Sequence, residues 1–164
     1  MTEVQEKREN KSTARYLSFS LGGEEYAIPL LAVREVIAMP EITSIPYTPP
    51  YFLGIMNLRG QVISIMDLRS KLSIKPLNSS ETSVIICDLN SLSIGVVVDS
   101  INSVLSPAES EVSAKPDMQS NRNSDFITGV YRKDKKLVLF LDVGKTLNVQ
   151  DKAVVDGAHL KKAA

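Results

Sequence analysis

The chain has no tryptophan, one histidine, one cysteine and no excess of either charge. A single cysteine, Cys87, rules out an intrachain disulfide, and one histidine with one cysteine cannot build a zinc site of the usual ligand types. Nineteen lysines and arginines balance nineteen aspartates and glutamates. Without net charge there is no bulk attraction to nucleic acid or to an anionic membrane. Four phenylalanines and five tyrosines, mostly at apolar-patterned positions, leave few aromatic platforms for stacking bases. No run approaches the roughly 18 apolar residues of a membrane span. Residues 1–11 are polar and carry both signs of charge, without the apolar core of a secretory signal. These absences point to the cytoplasm, with no membrane insertion and no nucleic-acid partner.

Catalytic groups are equally scarce. His159 falls in a C-terminal stretch with no nucleophile in view, and Cys87 sits in the apolar run Val84-Ile85-Ile86-Cys87, the setting of a small core residue. Gly144-Lys145-Thr146 looks like the end of a phosphate-binding loop, but the glycine needed five positions earlier is Leu139. Adjacent Glu24 and Glu25 should point to opposite faces of a strand, which suits neither for shared acid–base work. Lys133-Asp134-Lys135-Lys136 reads as a solvated hairpin tip. No enzyme, cofactor or metal site is expected.

What is present is a core. Apolar residues make up 43% of 164 and charged residues 23%, ordinary for a domain that folds without staples. Residues 1–14 lack periodicity and read as a disordered tail. Leu17, Phe19 and Leu21 then alternate with serines, Gly22-Gly23 signals a turn, and 24–30 returns as a strand. Leu30, Val33 and Ile37, spaced by three and four, predict a short helix ending before Pro40. Four prolines between 38 and 51 predict an extended loop. Hairpins are predicted for 52–58 with 62–68, for 83–89 with 92–99, and for 126–132 with 136–143. A second short helix is predicted at 100–105, a long loop at 106–125 in which Val112 seeds a short strand, and a helical tail at 148–164.

The pattern repeats. A shift of 68 superposes Tyr16-Leu17 on Val84-Ile85, Leu21 on Leu89, Ala27-Ile28 on Gly95-Val96 and Val36-Ile37 on Val104-Leu105. A shift of 75 superposes Gly54-Ile55 on Gly129-Val130, Ile65-Met66 on Phe140-Leu141 and Asp67-Leu68 on Asp142-Val143. The difference of seven falls in the loop after the predicted helix, where insertion costs least. Two related small β-barrels account for this, because closure limits exposed edges.

One hairpin stands out. Asn57-Leu58-Arg59-Gly60 leads through 62–66 to Asp67-Leu68-Arg69. Its turn needs Gly60 but not Arg59, which projects a guanidinium suited to a carboxylate. Tyr26-Ala27-Ile28-Pro29 leads to Val33-Arg34-Glu35-Val36, and Ile94-Gly95-Val96-Val97-Val98-Asp99 leads to Val104-Leu105. In this order and spacing, from about Arg15 to Leu147, the set resembles the CheW family of bacterial chemotaxis coupling proteins.

The resemblance implies a mainly β fold of two small five-stranded barrels, duplicated and strand-exchanged, over 15–147. It implies a non-enzymatic scaffold linking chemoreceptor cytoplasmic tips to the regulatory domain of the histidine kinase CheA, recruited to membrane-associated receptor arrays. The chain should be a monomer alone. Pro29, where many relatives carry an acidic residue, and the 106–125 loop depart from the family pattern. The alternatives are an adaptor of a chemosensory pathway for surface motility, or a ligand- or nucleic-acid-binding barrel. By resemblance Val33, Glu35, Val36, Asn57, Arg59, Val84, Ile86, Gly95 and Val97 meet partners, and Glu35 and Arg59 should pair. Gly95→Arg separates groove from core: in an open groove it would abolish receptor binding and leave stability nearly unchanged.

Overall fold

The computed structural model describes residues 14–77, 79–114 and 125–161. Most of the expected tail 1–14, half of the 106–125 loop and the His159 side chain lie outside the described residues. Among the described residues eleven strands run in chain order: β1 (Tyr16–Leu21), β2 (Glu24–Pro29), β3 (Val33–Ala38), β4 (Phe52–Leu58), β5 (Gln61–Asp67), β6 (Ser83–Leu89), β7 (Leu92–Val98), β8 (Ser100–Leu105), β9 (Val112–Ala114), β10 (Ile127–Lys133) and β11 (Lys136–Leu141). Two single-turn helices, α1 (Leu68–Lys71) and α2 (Val143–Thr146), and a longer one, α3 (Val149–Lys161), complete the described chain.

The strands form two sheets, ordered β3-β6-β7-β5-β4 and β8-β1-β2-β11-β10-β9. Under the two sequence shifts, β3, β6, β7, β5 and β4 become β8, β1, β2, β11 and β10, which is the order of the second sheet. Even the irregularities repeat. The β5–β7 and β11–β2 pairs are both parallel, and bulges fall between Val33 and Glu35 and between Ser18 and Phe19. Bulges also fall at Phe52/Gly54 and at Ile127/Gly129. The first sheet therefore takes β6 and β7 from the second half of the chain, and the second takes β1 and β2 from the first. The duplication is real, and its halves have exchanged hairpins.

Two expected helices are strands. Leu30–Ala32 makes one 3-10 turn, and β3 follows at once; 100–105 is β8. The spacing misleads because a 3-10 turn places residues three apart on one side, and a bulge inserts one residue into the alternation. Val33 and Ile37 are both half-buried across the Arg34 bulge.

Each sheet is apolar on both faces. Leu17, Phe19, Leu21 and Ile28 of one sheet pack against Ile85, Cys87, Ile94, Val96 and Val98 of the other in a shared core. Behind it the first sheet curls around Met56, Ile63, Ile65, Val84, Ile86 and Val97, and the second around Ala27, Leu105, Tyr131, Val138 and Phe140. Double-sided burial is why β6 and β7 read as unbroken apolar runs. Close packing also fixes Gly54: it has φ +142, and an added Cβ would lie 2.0 Å from the Thr43 carbonyl oxygen. Cys87 is buried, and desolvation, with the Asp88 charge second, pushes its thiol up to about 12, where it is inert.

α3 is held by polar anchors. Asn148 Oδ1 accepts from the Asp151 N–H at 2.8 Å while the Asp151 carboxylate accepts from the Asn148 N–H at 3.1 Å, a reciprocal cap. The buried Asp151 carboxylate also accepts from Tyr51 Oη and, at 2.7 Å, from Lys71 Nζ. Burial works to raise this carboxyl, but the bonds from Lys71, Tyr51 and Asn148 outweigh it, and it titrates below the usual aspartate range. Burial likewise works to lower Lys71, and its bonds to Asp151 and Tyr51 leave it raised. The Asp151 contribution is thus complete above the ordinary aspartate range, near pH 4, and is lost as pH falls through the depressed value. The Lys71 contribution is lost only as pH rises through a value above its ordinary one, near 10. Hydrogen-exchange protection of the Val155 amide should be flat from roughly pH 5 to 9 and fall in strong acid, and Asp151→Asn should remove it at neutral pH. Unchanged protection in that variant would show that Val155 packing alone docks the helix.

Candidate partner-binding site

The hairpin singled out by sequence, β4–β5, forms the end of the first sheet opposite edge strand β3. Arg59 and Gly60 form a two-residue turn with φ of +51 and +84, the geometry of a type I′ hairpin. Asn57 Oδ1 accepts from the Gly60 N–H at 2.8 Å and fixes the turn from below. An arginine at positive φ costs about 1–2 kcal/mol of backbone strain. Its side chain explains its presence. Arg59 Nη1 and Nη2 donate to Glu35 Oε1 and Oε2 at 2.6 and 2.9 Å, a bidentate pair across the gap between the β4–β5 tip and edge strand β3. The pairing expected from sequence is present, although Glu35 projects from a strand rather than a helix. The Arg59 bonds hold the Glu35 carboxyl below its usual range, and the Glu35 bonds raise Arg59.

A second bridge reinforces the first. Arg34, on the β3 bulge, donates to Gln61 Oε1 at 2.7 Å, to Ser93 Oγ at 2.7 Å and to Asp88 through Nε at 3.2 Å. The Arg34 guanidinium holds Asp88 below the usual aspartate range. One arginine thus ties β3, β5, β6 and β7 together at the mouth of the barrel. Sequence reasoning missed this network; a polar Arg34 between apolar Val33 and Val36 was its only trace. Reasoning also missed Arg69, whose Nε and Nη2 bind Asp67 and whose Nη1 binds Asp99 at 2.9 Å. Asp99 further accepts from the Gly22 N–H at 2.6 Å and the Leu77 N–H at 3.1 Å, which pins the β1–β2 turn to the other sheet. Two signals were available: an aspartate ending the apolar run of β7, and an arginine two residues after Asp67.

The nine candidate residues divide into two groups. Val36 is exposed on β3, Val33 and Glu35 are half-buried there, and Asn57 and Arg59 are exposed on the hairpin. These five lie at the surface of β3 and the β4–β5 tip, with Val33 and Val36, opposite Cys87 and Ile85, on the other face of β3 from Glu35, and exposed Leu31 and Met39 flank β3. Val84, Ile86 and Val97 do not belong to it: each has 0% exposure and fills the first barrel's core. Gly95 is closed as well, since an added Cβ would lie 2.5 Å from Ile65 and 2.9 Å from Val84. Their side chains are not available to a partner in this conformation. They set the position of β3 from beneath, because β3 pairs with β6 through Ile86 and Val84.

Comparison with known proteins gives the family. The family model described as a CheW-like domain matches residues 15–151. The chemotaxis protein CheW of Klebsiella aerogenes is 32% identical over 142 residues, covering 86% of each chain, and that of Bacillus subtilis is 29% identical, covering 85% of this chain and 90% of that one. The crystal structure of the scaffolding protein TtCheW from Thermoanaerobacter tengcongensis superposes with a TM-score of 0.77 at 28% identity, over 85% of this chain and 95% of that chain. The chain therefore belongs to the CheW-like domain family, and it is a non-enzymatic scaffold adaptor of chemotaxis.

Proposed function

We propose that the chain couples chemoreceptor cytoplasmic tips to the regulatory domain of the histidine kinase CheA, working in the cytoplasm at membrane-associated receptor arrays. The observation that carries this reading is the surface of β3 and the β4–β5 tip: an edge strand with exposed Val36, locked to Arg59 through Glu35. Such an edge offers apolar side chains in a fixed frame, and receptor state can then shift how adaptor and kinase sit. The chain carries no chemistry of its own in this role.

The direct test is co-sedimentation with a receptor cytoplasmic fragment and the kinase. Alone, the 18.0 kDa chain should sediment as a monomer, and it should shift when the kinase regulatory domain is added. Absence of a shift at tens of micromolar would count against the reading. Arg59→Ala and Glu35→Ala should each leave a folded protein that fails to support kinase activation, and the double variant should be little worse than either. Losses that add would mean that Arg59 and Glu35 act separately. Arg59→Asn refines the test: asparagine suits the left-handed turn, so the variant should melt no lower than the parent and still fail in coupling.

A further inference from the structure

The two barrels are built alike but their mouths are not. In the first, Arg34 plugs the mouth, bonded to Asp88, Ser93 and Gln61. Strand register identifies the equivalents in the second barrel. Asn102 sits on the β8 bulge where Arg34 sits on β3, Ser20 pairs with Glu25 as Asp88 pairs with Ser93, and Lys136 opens β11 as Gln61 opens β5. The long arginine has become a short asparagine, which among the described residues bonds Ser20, at 3.1 and 3.2 Å. Beside it lies a cleft of about 660 Å³ lined by Ser20, Glu24, Glu25, Asn102, Lys135 and Lys136. The equivalent cleft of the first barrel, with Val155 of α3 among its lining residues, is reduced to about 20 Å³. Among the described residues no helix covers the second cleft.

We propose that this cleft binds an arginine side chain that a partner protein presents between acidic neighbours. The guanidinium would restore in trans what Arg34 provides in cis. Its acceptors are the Glu25 carboxylate, at the position of Ser93, and the oxygens of Ser20 and Asn102. A flat five-donor fork fits several acceptors grouped around one mouth better than an ammonium does. Lys135 and Lys136 set the flanking requirement: they disfavour a lone cation and attract carboxylates on either side of it. This site lies on the second barrel, apart from the β3 and β4–β5 surface, and does not depend on the coupling role proposed above.

The test uses the isotope-labelled full chain and an acetylated, amidated tripeptide with arginine between two aspartates, followed by amide chemical shifts. The control replaces arginine with citrulline, which has nearly the same shape and no charge. Shifts should concentrate at Ser20, Glu24, Glu25, Asn102 and Lys136, and the arginine peptide should bind at least about tenfold tighter than the citrulline peptide. Simple attraction to the two lysines would favour citrulline instead, because its peptide is the more negative. Asn102→Arg should fill the mouth from within and abolish binding without lowering the melting temperature, and Glu25→Gln should weaken binding about tenfold. Equal binding of the two peptides, shifts confined to Lys135 and Lys136, undiminished binding to the Asn102→Arg variant, or no shifts at millimolar peptide would each overturn the proposal.

Discussion

Gly95→Arg is expected to give a chain that does not fold cooperatively. Gly95 lies in β7 with Ile65 of β5 and Ile86 of β6 directly beside it in register, so the strand is hemmed on both sides. A Cβ alone would sit 2.5 Å from Ile65 Cδ1 and 2.9 Å from Val84 Cγ1. A single added methyl group in such a core costs about 1–3 kcal/mol, because neighbours leave their rotamers. Arginine adds a charge with no carboxylate in a core made of Met56, Ile63, Ile65, Val84, Ile86 and Val97. A domain of this size holds only about 5–15 kcal/mol in total. Thermal and urea unfolding should show no cooperative transition for Gly95→Arg and a lowered midpoint for Gly95→Ala. A variant that melts like the parent and loses only receptor binding would restore the groove placement expected from sequence.

The second large effect is expected at Arg69. This arginine is buried, as are Asp67 and Asp99. Burial works to lower its pKa, yet its bonds to Asp67 and Asp99 leave it raised. Arg69→Met removes the cation and leaves two carboxylates without it in a desolvated site, a loss of about 3–5 kcal/mol when a buried pair is broken from one side. Arg69→Lys should recover only part of that, because a point charge cannot serve Asp67 and Asp99 as a planar fork does. Because Asp99 also holds the Gly22 N–H, the damage should spread to the β1–β2 turn in the other sheet. Urea unfolding would measure the loss, and hydrogen exchange at Gly22 would measure its spread. A destabilisation below about 1 kcal/mol would mean that water enters and satisfies both carboxylates.

The hairpin at 57–62 was legible because its chemistry is local: a two-residue turn, a glycine, and an arginine that the turn does not require. The Glu35–Arg59 pair followed, and it survives the change of Glu35 from helix to strand because a reach across the barrel depends on side-chain length more than on local backbone. The spacing at 30–37 was misread for an equally local reason, since a 3-10 turn and a bulge together imitate helical periodicity. Val84, Ile86, Gly95 and Val97 could not be sorted from sequence at all. In a strand buried on both faces every position is apolar, and nothing in the letters separates a side chain facing a core from one facing a partner.

The sequence by itself determined that the fold is β and that it is duplicated. Those properties follow from alternation and from the two shifts of 68 and 75. Only the tertiary structure decided which hairpin joins which sheet. Repeats state that two units are alike, but the parallel pairs β5–β7 and β11–β2 join strands from opposite halves of the chain, and no local signal encodes that choice. The same holds for the polar contacts that lock the molecule. Arg34 reaches Asp88 54 positions away, Arg69 reaches Asp99 30 away and Tyr51 reaches Asp151 100 away, and each forms because packing of the apolar strands brings those groups together.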